Sequence, residues 1–519
     1  MASITQYTYQ NFGQGGVISK DQPSDQPSNF LSTGINWIWG NRDLLTSRPK
    51  FVRDSTAASL VTAIGSAHLY KTNSTNPTYF NIGIVGANND LYKSTSPYDT
   101  KFTAIPHGAV TAWSGNNWSF ADFQQYCYCF QRGIIPKRIS NTATGVNDVP
   151  AGGAPPAAHV ICGAYGRLWA ADTGAGTAYT LYWSDLLNGD VWNAGGAGSL
   201  DLRTVWGEHD DITAIHPFDG YIIIFSKRNI VILQNPYLAT FSASGTATAG
   251  ATMSIKQVIK GIGTGFRDSV VNVGNDLIFL SRYGLHRLSR AIVQPNPALS
   301  IISGNIADVL NAVIPDSESS AADKVKAVYW ARYGLYILSF PSTSEGRIFT
   351  FDINTPTDQS GNVRVMEWRM NVTSTPAKIG AMLVGPGGDV NYDYLVFGDG
   401  NGKIWANPEI NLPGSLEYES DFSVEATTHW TEMAPGSETI LKDAIVAYER
   451  QAPNAVYVAK DYDTINRYYS VFPTTVNNPK RTPVGYAGHL FQFSLVSTAL
   501  CDIKRFTVQF KAGRLSGGI

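Results

Sequence analysis

From Asp268 to Arg290 the chain reads DSVVNVGNDLIFLSRYGLHRLSR, with Val271 and Val273 on one side of a polar Gly274-Asn275-Asp276 step and Leu277 and Phe279 on the other. Tyr283-Gly284 then turns the chain into a third short run, Leu285 to Leu288. Apolar residues two apart, broken by glycine and asparagine, predict strand, turn, strand, turn, strand. So short a meander cannot bury its own faces. If it recurs, the copies should cover one another.

It recurs. Similar stretches begin at Ala158 (AHVICGAYGRLWAA), Thr213 (TAIHPFDGYIIIFSKRNIVIL), Lys326 (KAVYWARYGLYILSF) and Gly380 (GAMLVGPGGDVNYDYLVFGDGNGKIWA). With Asp268 in its place, successive starts lie 55, 55, 58 and 54 residues apart, close to the upper end of the roughly 40 to 50 residue period of propeller blades. Looser copies run from Leu60 to Ser94 and from Phe120 to Ser140. Six or seven units of three or four strands are best closed as a β-propeller, because a closed ring covers the outer units that an open stack leaves exposed. The competing arrangement is a set of stacked sandwiches that share only turn chemistry. Small-residue segments at 141–158 and 240–252 separate the units and read as exposed loops.

Three further stretches break the rhythm. Residues 1–54 form an N-terminal arm whose first apolar run, Gly34 to Gly40, predicts a strand that pairs with another element. Within the repeats, Asn305 to Ile314 places Ile306, Val309, Leu310 and Val313 on one helical face and stops before Pro315, which predicts a helix capping a blade. After the propeller at 55–415, residues 416–519 alternate at Ala447-Tyr448, Val456 to Val458, Phe491 to Leu495 and Phe506 to Phe510, predicting a small β-sandwich. The fold class is mainly β.

Composition sharpens this. Aromatics make up 12% and charged residues only 15%, with 49 glycines, which favours turns between half-buried strands over helices with charged faces. A formal charge of −2 lacks the basic excess of a protein that grips nucleic acid by its phosphates. Cys127, Cys129, Cys162 and Cys501 have no paired zinc-ligand spacing and read as buried free thiols. The sequence shows neither a leading secretion signal nor an apolar run of about 18 residues, so the chain is expected to fold in a cytoplasm without spanning a membrane.

The candidate chemistry is sparse. Trp183 to Trp192 (WSDLLNGDVW) loosely resembles an Asp-box turn, with Asp185 misplaced in its spacing. Glu208, His209, Asp210 and Asp211 are the densest metal-ligand cluster, but adjacent residues on an extended chain point in opposite directions. Asp399-Gly400-Asn401-Gly402 lacks the later acidic ligand of a calcium loop and reads as a hairpin turn. Gly261 to Phe266 lacks the Lys-Ser/Thr step of a phosphate loop. The sequons at Asn73 and Asn117 carry no weight without a secretion signal. No Ser, His and Asp set has nucleophile-elbow spacing. The expectation is a protein that is not an enzyme, with no catalytic, cofactor or metal residue assigned.

The chain resembles the tail nozzle or tail tubular proteins of short-tailed bacteriophages and related phage DNA-stabilisation proteins. The stretches that carry the likeness are Leu44 to Arg48 turning into Pro49, WSFADFQQYCYCFQR at Trp118 to Arg132, LYWSDLLNGDVW at Leu181 to Trp192, Gly263 to Ser289, YWARYGLYILSF at Tyr329 to Phe340 with Arg347 to Asp352, and Tyr418 to Asp463. The resemblance implies a six-bladed propeller platform assembled as a homohexamer ring in the virion tail, built in the host cytoplasm, which plugs the tail and conducts DNA at ejection. It implies tail adaptor or portal-side proteins and fibre or spike proteins as partners, with DNA passing without sequence-specific binding. The alternatives are a phage tail propeller that binds host glycans through clustered aromatics, or one that cleaves them with converging carboxylates.

Overall fold

A computed structural model describes residues 4–19, 27–40, 44–71, 81–94, 100–107, 114–141, 145–174, 176–238, 252–293, 300–317, 319–357, 361–372, 375–386, 393–408, 415–474 and 478–515. The segment 240–251, read from the sequence as a loop, and the Asn73 sequon lie outside them. Among the described residues, seven antiparallel sheets follow one another along the chain, and they are numbered here as blades. Their innermost strands are Ser66–Lys71, Ser119–Phe123, Val160–Ala164, Ile212–Phe218, Val271–Val273, Lys326–Trp330 and Ile379–Pro386. The ring is a propeller, at the upper of the two blade counts the sequence allowed and one blade more than the resemblance implies.

Turn chemistry sets the register of one hairpin each in blades 1, 3 and 4. Tyr165-Gly166, Asp219-Gly220 and Asn88-Asn89 hold two successive positive φ angles, the backbone that joins twisted antiparallel strands most tightly. Strand alternation then sends side chains to both faces, and each face meets the next blade. Leu277 and Phe279 pack towards blade 4, while Val273, Ile278 and Leu280 pack towards blade 6. Seven such inter-blade cores occur in turn, the last joining Leu383 and Val396 of blade 7 to Leu69 and Val85 of blade 1. The ring therefore closes on buried apolar surface.

Blade 5 is the irregular one. It has three strands, and beside them lie a helix at Leu288–Val293 and a single bridge from His286 to Ile301. The predicted helix from Asn305 to Ile314 is shorter than its apolar pattern: a 3-10 turn at Gly304–Ile306 leads into five helical residues, Ala307–Asn311. Ile306 stands at the N-cap without a side-chain capping bond, so the first helical N–H groups gain no side-chain acceptor there. Ile306 and Leu310 are buried, with Val309 and Val313 packed beside them.

The N-terminal arm pairs in four places. Thr5–Tyr9 runs antiparallel to Arg505–Leu515, Thr33–Ile35 lies between Val363–Trp368 of blade 6 and Val424–Thr427, Leu45–Ser47 pairs with Asp502–Ile503, and Val52–Asp54 is an outer strand of blade 7. The C-terminal segment forms a sandwich of two sheets whose inner faces bury Leu441, Val446, Val458, Phe493, Phe506 and Val508. Through Thr33–Ile35 the sheet of blade 6 runs on into one sheet of this sandwich, making ten strands in all.

Where arm, propeller and sandwich meet, Arg48 is fully buried. Its guanidinium donates to Glu419 Oε1 at 2.6 Å and Oε2 at 2.9 Å, to Asn36 Oδ1 at 2.9 Å, to the carbonyl of Arg369 at 2.8 Å and to that of Pro49 at 3.0 Å. That uses all five of its N–H donors. Phe51, Trp368 and Phe422 surround the cation at 5.0 to 5.7 Å. Removing one member of such a buried pair leaves an uncompensated charge, at a cost of about 3 to 5 kcal/mol. Arg48→Ala is expected to lower unfolding free energy by about 4 kcal/mol in denaturant titration, whereas Arg203→Ala, at the exposed start of the short helix Arg203–Trp206, is expected to change it by under about 1 kcal/mol.

Candidate functional site

The innermost strands of six blades, with Arg267, Asp268 and Val270 just before that of blade 5, surround a cavity of about 560 Å³ among the blades. A second cavity of about 590 Å³ lies against it, and Arg267 lines both. Arg267 donates to the carbonyl of His159 at 3.1 Å, to Asn117 Oδ1 at 2.7 Å, and through Nε and Nη2 to Asp268 at 2.8 and 2.7 Å. Lys326 Nζ donates to Asn117 Oδ1 at 2.9 Å, to the carbonyl of Asp323 at 3.1 Å, and to Asp268. Residues from the approaches to blades 2, 3, 5 and 6 thus meet on the axis in one hydrogen-bonded plug.

Charge is nearly balanced around the plug. Burial by itself would raise the Asp268 carboxyl, but the Arg267 and Lys326 cations override it and hold the carboxyl well below the usual range. In the second cavity Arg132 pairs with Asp172, and Lys227 lies 3.6 Å from Asp211. His159 is buried beside these cations, and burial followed by their repulsion holds its imidazole neutral, far below its ordinary pKa.

The first cavity holds one further constellation. His68 on the inner strand of blade 1 lies 2.7 Å from Asp122 on the inner strand of blade 2. Burial opposes the charge on His68, but Asp122 raises its pKa to about 10. Cys127, on the next strand of blade 2, is fully buried beside them, and burial pushes its thiol well above its ordinary range. A thiol so held is a poor nucleophile. The two carboxylates that line this cavity, Asp122 and Asp268, are each engaged by a cation.

The residues singled out in the sequence go elsewhere. Asp185 Oδ1 accepts from the backbone N–H of Leu186 and Gly196 at 2.8 and 2.7 Å, and these bonds, the Gly196 one foremost, lower its pKa. Glu208 and Asp210 both accept from Asn229 Nδ2, Asp211 turns to Lys227, and His209 packs edge-on to Tyr179. Asp399 accepts from the N–H of Asn401 and Lys403, both at 2.8 Å, and from Trp405 Nε1 at 3.0 Å, fixing a hairpin turn. Gly261 to Phe266 leads from blade 4 towards blade 5, with Thr264 Oγ1 accepting from the Phe266 N–H. Asn117, noted only as a sequon, is part of the plug. The four cysteines are free and buried.

The axial residues have a signal in the repeat that local motifs do not carry. His68 and Asp122 are 54 residues apart, and Asp268 and Lys326 are 58 apart, each one repeat length. Polar residues about one repeat apart, on or just before successive inner strands, thus come together between the blades.

No protein-family profile matches the chain, and no curated protein does. Among solved structures it is similar to YCF48 bound to D1 peptide, at 9% identity and a TM-score of 0.39, covering 71% of this chain and 97% of that one. It is also similar to the computationally designed Ika8 protein, at 8% identity and 0.37, covering 69% and 99%. A third is the Neurospora crassa Pan2 WD40 domain, at 10% identity and 0.38, covering 68% and 92%. Likeness at this level extends to neither function nor partners, and the blade count stands on the sheet topology alone.

Replacing Asp268 by Asn leaves two buried cations without their counter-charge. The substitution is expected to cost about 3 kcal/mol at neutral pH in denaturant titration. Because the native carboxyl titrates below the unfolded one, its contribution is complete above the unfolded carboxylate range, about pH 4, and is lost as pH falls through the lower native value. The difference between wild type and Asp268→Asn should therefore shrink in acid.

Proposed function

We propose that the chain is a structural subunit of a bacteriophage short tail: a nozzle or tail-tube protein that assembles with its own copies into a ring, closes the DNA exit channel, and conducts the genome at ejection. The observation that carries this reading is the open edge of the C-terminal sandwich. Strand Asp463–Val471 ends its sheet, pairing only with Ala455–Lys460 among the described residues. Along and beside it Tyr462, Ile465, Tyr469 and Val471 are exposed, Ile465 by 89%. A long edge strand with uncovered apolar side chains is a surface that monomers usually blunt with charge or proline. A neighbouring copy in a ring would cover it.

Two other features agree with a ring subunit. The cluster of Arg267, Asp268 and Lys326 lies between the two cavities, so in this reading the DNA path runs between subunits. The formal charge of −2 suits a channel that must release DNA, since each phosphate contact would hold it back. The expected partners are tail adaptor or portal-side proteins on one face and fibre or spike proteins on the other, with no enzymatic step. No helix among the described residues is long and apolar enough to cross a membrane.

Light scattering on the purified full chain tests the reading. Wild type is expected to contain a species of several subunits, and the double variant Ile465→Asp with Tyr469→Asp is expected to be monomeric with unchanged melting temperature. A wild type that stays monomeric at high concentration would overturn the ring assignment. So would a double variant that still assembles, as far as this edge is concerned.

A further inference from the structure

Blades 1 and 2 bring three different metal-ligating groups to one point, and the nozzle reading makes no use of them. One donor atom each from His68, Asp122 and Cys127 lies within 4.8 Å of the other two. We propose that these residues form a binding site for one divalent transition metal of the zinc type, with its fourth coordination position open to the first axial cavity.

The donor set selects the ion. An imidazole nitrogen, a thiolate and a single carboxylate suit Zn²⁺ or Co²⁺, whereas Ca²⁺ and Mg²⁺ seek oxygen ligands. Metal–ligand bonds of about 2.0 to 2.3 Å in a tetrahedron place neighbouring donors roughly 3.3 to 3.8 Å apart. The His68–Asp122 separation of 2.7 Å and the outer limit of 4.8 Å bracket that range, so side-chain shifts of about an ångström seat the ion.

The surroundings hold the ligands in place. The His68 ring stacks on Phe120 at 5.4 Å with planes 11° apart, and Asp122 Oδ2 accepts from the backbone N–H of Lys71 at 3.1 Å. Such outer contacts orient first ligands in known metal sites. Cys127 supplies the dry side from within the core between blades 1 and 2, while His68 and Asp122 line the cavity. The incoming ion displaces the protons of the Cys127 thiol and the His68 imidazolium, which pass to solvent. The dication then meets a thiolate and a carboxylate, so the occupied site is neutral overall. A solvent molecule or small anion in the cavity completes the coordination, and the ion staples blade 1 to blade 2.

Titrating metal-free, reduced full-length protein with Co²⁺ tests the site directly. One equivalent is expected to bind with a sulfur-to-cobalt charge-transfer band in the near ultraviolet, and Zn²⁺ is expected to displace it and raise the melting temperature. Cys127→Ser should abolish the band. Because Cys127 is buried and its replacement can impair folding, His68→Gln at a partly exposed position is the second arm, with an expected loss of affinity of about 10-fold or more. Cys501→Ser, in the sandwich, should leave binding unchanged. A wild type without the sulfur band, a band that survives Cys127→Ser, or unchanged affinity in His68→Gln would each overturn the proposal.

Discussion

The buried pair between Arg48 and Glu419 is the constraint on which the assembly of this chain depends. A guanidinium out of water is tolerable only when every donor is met, and here the acceptors come from the arm, from the end of blade 6 and from the segment that opens the C-terminal domain. Glu419 also accepts from the N–H of Phe51 at 3.1 Å, which leads directly into the arm strand of blade 7. None of these pieces can be placed without the others. The propeller and the sandwich are therefore coupled by a polar knot wrapped in aromatic rings as well as by their continuous sheet.

The ring itself is held differently. Each inter-blade core is apolar, so the outer part of the propeller is stabilised by burial that has no preferred direction. Direction comes from the axis, where Arg267, Asp268, Lys326 and Asn117 meet in fixed hydrogen-bond geometry. Apolar packing sets how the blades adjoin, and the plug fixes how they face one another. The same convergence puts His68 beside Asp122.

Much of this architecture was legible in the sequence, because alternation and glycine, asparagine or aspartate turns are local signals. The stretch from Asp268 to Arg290 is a blade, and the starts at Ala158, Thr213, Lys326 and Gly380 mark inner strands or lie within two residues of them. The blade count stayed open because the first two units deviate from the pattern. The arm was harder to read. Val52–Asp54 joins a blade whose other strands lie more than 300 residues later, and nothing in three residues announces such a partner. Of the run Glu208 to Asp211, Glu208 and Asp210 share Asn229 while His209 and Asp211 turn to Tyr179 and Lys227, whereas His68 comes from one blade to meet Asp122 and Cys127 of the next. Local motifs cannot find a site assembled from separate repeats.

In the ring account, the open sandwich edge, the charged cluster inside the propeller and the near-neutral charge belong together: the subunit offers a surface to its neighbour and leaves the passage to the assembly. Electron-microscopic imaging of the purified full chain at high concentration, with symmetry left free, tests this most directly. The account expects closed rings of six propellers around a central channel, with strand Asp463–Val471 at the contact between neighbours. Single seven-bladed particles that never associate would contradict it.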